Sequence, residues 1–114
     1  MSHDIRIAID LPPGEAETLA LVLQQGGFTT RPVQHRDLDW QTIMVVIRDA
    51  GDIAAATTAI IALAERIIAY CKSRRDQGKT AQGTLRRAGQ PPLELAHATD
   101  KEVLEWLLKT LPQD

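Results

Sequence analysis

Ile5, Ile7 and Ile9 alternate with Arg6, Ala8 and Asp10, a period of two that predicts a half-buried strand. Pro12-Pro13-Gly14 ends it, and the period then changes. Ala16, Leu19, Ala20 and Leu23 share one face of a helix predicted from about Pro13, with Glu15 and Glu17 favouring the N-terminal end of its dipole. Gly26-Gly27 supplies the stop. Phe28 to His35 reads as a second strand, and Pro32 inside it removes a ladder donor, which predicts a sheet edge. A turn through Arg36-Asp37-Leu38-Asp39 leads to a third strand, Thr42 to Arg48. Ile43, Val45 and Ile47 lie on one side of it and Met44 and Val46 on the other, so it belongs near the sheet centre.

Ala50-Gly51-Asp52 opens the longest helix, with Asp52 as N-cap and a run to about Arg75. Ile53, Ile60, Ala64, Ile67, Ile68 and Cys71 cluster on one side of it. After a polar link, Gln82–Arg87 and Pro92–His97 flank Ala88-Gly89-Gln90-Pro91 as a hairpin. Thr99-Asp100-Lys101-Glu102 has the form of a capping box, before a last helix with Val103, Leu104, Leu107 and Leu111 inside and Pro112 at its end. The order predicts an α+β fold: a ferredoxin-like βαββαβ core extended by a C-terminal strand or hairpin and a helix. Right-handed crossovers put strands one and three in the middle and strand two at an edge.

A chain of 114 residues, 44% hydrophobic and 25% charged, is the size and composition of one globular domain over residues 1–114. A net charge of −2 gives no global field for nucleic acid or membrane. The single cysteine, Cys71, forms no internal disulfide. The N-terminus has no signal-peptide pattern, and the longest uncharged apolar stretch, Ile53 to Ala64, falls short of the roughly 20 residues a spanning helix needs. A cytoplasmic protein is the expectation.

Convergent chemistry is thin. His3, His35 and His97 are far apart and at no metal-ligand spacing with Cys71, which lies on the apolar stripe of the long helix as an inert thiol. Asp37 and Asp39 read as turn formers, with cation binding or acid–base work the sharper alternative. Ser2 and Ser73 lack a nucleophile context, and no phosphate-binding glycine loop appears. The expectation is a protein without catalytic residues, cofactor or metal.

Charge is distributed unevenly. Arg66, Lys72, Arg74, Arg75, Lys79, Arg86 and Arg87 face a single acid, Asp76, between residues 66 and 87, a net of +6, whereas residues 1–65 carry −5. The segment reads as a solvated face or a docking patch for an acidic protein partner. Sequence-specific nucleic acid is not expected, since Phe28 is the only aromatic in any predicted strand. The outer side of the long helix carries Ala55, Thr58, Ala59, Ala62 and Ala69 where charges are expected. Small residues at this spacing allow a second helix to approach, as in a homo-oligomer. Helix propensity explains part of it, and the C-terminal helix could cover the alanines with Trp106 and Leu108.

The chain resembles the effector-associated constant component family of bacterial conflict systems. The resemblance is carried by Ile5-Arg6-Ile7-Ala8-Ile9 and by the Ala/Ile-rich helix ending in Tyr70-Cys71-Lys72-Ser73-Arg74-Arg75. It continues through Gly83-Thr84-Leu85-Arg86-Arg87, Leu93-Glu94-Leu95 and Asp100-Lys101-Glu102-Val103-Leu104-Glu105-Trp106-Leu107-Leu108. Members are short stand-alone proteins viewed as accessory or adaptor components beside protease-like or other effectors and signalling NTPases. The resemblance implies a role in antiviral defence or signalling through protein–protein interaction. A rival resemblance is to ACT domains, carried by Asp10-Leu11-Pro12-Pro13-Gly14-Glu15 and Gly26-Gly27-Phe28. It implies amino-acid sensing between the first strand and first helix.

Overall fold

The alternating isoleucines form β1 (Ile5–Leu11), which the computed structural model, describing residues 4–33, 40–48 and 51–111, places at the centre of a five-stranded antiparallel sheet. Then come α1 (Glu15–Gln25), β2 (Thr29–Val33), β3 (Gln41–Ile47), α2 (Ile53–Asp76), β4 (Thr84–Arg87), β5 (Gln90–Glu94) and α3 (Asp100–Leu108). The strand order is β2-β3-β1-β4-β5. β3, apolar on both sides, is an inner strand, and β2, which contains Pro32, is an edge.

Register sorts the side chains. Ile5 lies opposite Ile47, Ile7 opposite Val45 and Ile9 opposite Ile43, so all six project from one side of the sheet. They are buried in one cluster with Leu19 and Leu23 of α1, Ile60 and Ile67 of α2, and Val103 and Leu107 of α3. By length and composition alone, α2 is long and apolar enough to cross a membrane. Its apolar arc is taken up by this core: Ala56, Ile60, Leu63, Ala64, Ile67, Tyr70 and Cys71 are all buried.

That arc is rotated from the predicted one. Ile53 is 48% exposed and Ile68 half-buried, while Leu63 and Tyr70 go inside. The reason is lateral packing: Tyr70 Oη donates to Glu15 of α1 at 3.1 Å, which turns the helix toward its neighbour. On α3, Trp106 joins the core and Leu104 is half-buried, because Trp106 Nε1 finds an acceptor in Pro91 O of β5 at 2.7 Å.

The caps explain the boundaries. Asp52 accepts from Ala55 N at 3.2 Å, and Thr99 and Glu102 form the reciprocal capping box. α1 starts at Glu15 rather than Pro13 because Gly14, at φ +70°, breaks the helical path before it. α2 ends in a Schellman motif, Lys79 N to Arg74 O and Gly78 N to Arg75 O, both 2.9 Å, with Gly78 left-handed. The hairpin is tighter than predicted. Gly89, at φ +84°, closes a two-residue turn with Ala88, so Gln90 already pairs with Arg87. Pro91 and Pro92 therefore stand inside β5, which is tolerable because β5 is the other edge.

Candidate functional site

The predicted basic segment is divided between α2, the turn after it and β4. Arg74 Nη2 lies 3.0 Å from Glu15, while Lys72 and Arg75 reach Asp100 at 3.5 and 3.4 Å. Arg66 is exposed beside Gly26, and Lys79 is exposed in the turn after α2. Arg86 and Arg87 belong to β4, where Arg86 binds Asp10 and Arg87 Nη1 donates to Gln90 Oε1 at 3.1 Å. Three carboxylates far away in sequence, Glu15, Asp100 and Asp10, thus pair with four of the seven cations. A run of like charge along the chain cannot reveal such partners.

The outer side of α2 is divided. Ala55, Thr58 and Ala69 are exposed, while Ala59 and Ala62 are half-buried and Ala59 packs on the core. Trp106 directs its indole N–H to Pro91 O of β5. Ile53 and Ile61 add apolar exposure on the same helix, at 48% and 40%.

Burial shifts two titratable side chains of α2. Burial, then the Glu15 charge and hydrogen bond, push the Tyr70 phenol well above the ordinary tyrosine range. Burial also pushes the Cys71 thiol up, against the opposing Arg75 charge. His97 is exposed, 3.9 Å from Glu94. His3, His35, Asp37 and Asp39 lie outside the described residues. Among the described residues no three His, Cys, Asp or Glu side chains converge as a metal site.

The face of the sheet opposite the helices is the arrangement that local sequence reading missed. Across it, Arg31 of β2 lies opposite Met44, Met44 opposite Ala8, and Ala8 opposite Arg86 of β4, forming one cross-strand row. A second row runs Thr29–Val46–Arg6. Met44 and Val46 are half-buried and belong to no part of the main core. An apolar strip is therefore bordered by Arg6, Arg31 and Arg86. Between Arg6, Arg86 and Arg87 the surface forms a concavity of about 490 Å³ with Ala8, Met44 and Pro92 in its lining.

Two carboxylates belong to this face: Glu94, exposed on the β5 edge opposite Thr84, and Asp10, opposite Thr84 on the other side. Asp10 is 7% exposed, accepts from Thr42 Oγ1 at 2.5 Å, and is bridged by Arg86 through Nε and, at 2.9 Å, Nη2. The hydrogen bonds to Asp10 raise the Arg86 pKa further, so its guanidinium stays charged. Asp10 fixes Arg86 against the sheet. Arg6 and Arg31, both exposed, have no ion pair among the described residues and leave their charge available. The signal in the sequence was present: even-numbered positions of the first and third strands alternate with the isoleucines, and Met44 and Val46 stand apolar among them.

Comparison of the chain with protein-family models, with curated proteins and with solved structures returns no match.

Proposed function

We propose that this protein is a non-catalytic accessory component that works by binding another protein, in the cytoplasm and as part of a bacterial defence or signalling system. The observation that carries the reading is the uncovered sheet face, where Met44 and Val46 are half-buried between arginines with no helix of the chain over them among the described residues. A folded domain with one finished core and a second, half-apolar sheet side has a surface suited to a partner. The resemblance to the effector-associated constant components gives the biological setting. The ferredoxin-like assignment of the core is supported by the order β2-β3-β1-β4, with β5 and α3 as the extension.

Self-association through α2 is a second contact of this reading, favoured by exposed Ile53 and Ile61 beside Ala55, Thr58 and Ala69. The ACT-like sensor has less support. The turn it would use is closed by the chain itself: Ala16 N donates to Pro12 O at 3.1 Å, and Glu15 is engaged by Tyr70 and Arg74.

Reconstitution with the products of neighbouring genes tests the accessory role. The expected result is a stoichiometric complex with one of them and no thermal shift with any amino acid. A saturable shift with an amino acid, lost in Gly14→Trp, together with no complex, would replace this reading by the sensor.

A further inference from the structure

The open sheet face has three properties that bear on what can occupy it. Its centre is apolar, with Ala8, Met44 and Val46 adjacent across β1 and β3. Its borders on β1 and β2 are cationic, with Arg6 and Arg31 exposed and without an ion pair among the described residues, while the far β5 edge carries the exposed Glu94. Its edges are closed to strand addition: β2 contains Pro32, and β5 contains Pro91 and Pro92. An extended segment joining the sheet through backbone hydrogen bonds does not fit these edges. A segment lying across the face does.

Charge decides among the occupants. In a two-fold dimer through this face the same patch meets itself, bringing Arg6 and Arg31 of one copy against arginines of the other. Like charges in an interface disfavour that pairing. A nucleic-acid strand would satisfy the arginines, but the strip between them is methionine, valine and alanine, which give a base no aromatic surface to stack on. A helix with leucine-type residues on one side and flanking carboxylates satisfies both properties together.

We propose that the open sheet face docks an acidic amphipathic helix of a protein partner. Its apolar side lies over Ala8, Met44 and Val46, and its carboxylates pair with Arg6 and Arg31. Arg86, already bridged to Asp10, forms a fixed wall of the site. The assignment rests on the protein-interaction reading above and adds the surface and the chemistry of the partner.

Fluorescence anisotropy with the whole protein tests it, using a labelled peptide with leucines at helical i, i+3, i+4 and i+7 spacing and glutamates on both flanks. Binding is expected to weaken as salt rises from about 0.05 to about 0.5 M. Arg6→Glu/Arg31→Glu should weaken it about tenfold or more, whereas Lys101→Glu/Lys109→Glu, an equal charge change on the helical layer, should leave it within about twofold. A peptide with lysines for the glutamates should not bind, and single-stranded RNA should not displace the acidic peptide. Circular dichroism checks that the variants fold, and Arg6→Gln/Arg31→Gln serves if the glutamate pair does not. No binding of the acidic peptide, unchanged binding by the arginine variants, or displacement by RNA overturns the proposal. If the arginine variants still form the reconstituted complex unchanged, this surface is wrong and the accessory role survives. Absence of any complex sinks the accessory role itself.

Discussion

At the residue scale, two buried polar contacts should dominate the response to substitution. Tyr70 is the only tyrosine, so its titration can be followed without interference. Folding keeps its phenol protonated through burial and the neighbouring Glu15 carboxylate. The native pKa lies above the unfolded one of about 10, so this contribution is complete below about pH 10 and declines as pH rises toward the native value. Tyrosinate absorbance should consequently appear in a single step with unfolding, well above pH 10. A phenolate spectrum in the folded protein near that pH would contradict the assigned contact. Tyr70→Phe should cost about 1 kcal/mol and remove this alkaline dependence. For Asp10, Arg86→Ala removes the guanidinium that bridges it, and the half-exposed position of Arg86 limits the loss to about 1–3 kcal/mol. Asp10→Val combined with Arg86→Leu should recover part of that loss in urea titrations, because no charge is then left buried.

At the scale of elements, chain ends and close approaches set the boundaries. The two central strands, the two main helices and the capping box were legible because period, caps and prolines all agreed there. The hairpin was less legible. Gln90 and Pro91 read as part of the turn, whereas Ala88 and Gly89 close it and an edge strand accommodates Pro91 and Pro92. The rotation of α2 was hidden as well, since Leu63 and Tyr70 become inward only once α1 lies alongside and offers Glu15. Gly83 has the tightest surroundings of the glycines compared: a Cβ there would come 2.5 Å from Leu11 Cδ2 and 3.2 Å from Asp10 O. Leu11 can yield, but the backbone carbonyl of β1 cannot move without disturbing the sheet centre. Gly83→Ala should cost about 1–3 kcal/mol in thermal or urea unfolding. A neutral effect would mean that the β1–β4 junction is looser than described.

For the whole molecule, the charge pattern along the chain and the charge pattern in space tell different stories. The basic run from Arg66 to Arg87 is partly answered by Glu15, Asp100 and Asp10, whereas Arg6 and Arg31, ordinary in sequence, end up exposed beside an apolar strip. Only the strand order and register bring those two together, which is why a search for local charge runs passed over them. The two proposed association surfaces lie on opposite sides of the sheet and are separable. Light scattering should find a dimer at tens of micromolar that Ala62→Arg dissociates with its circular dichroism intact. A monomer, or unfolding by that change, assigns the α2 side to the core. The open face is tested most directly by mapping amide chemical shifts as the acidic peptide is titrated into the labelled protein. The account predicts changes concentrated at Arg6, Ala8, Met44, Val46 and Arg31, with the α2 and α3 amides unmoved. Changes concentrated on the helical layer, or none at all, would contradict it.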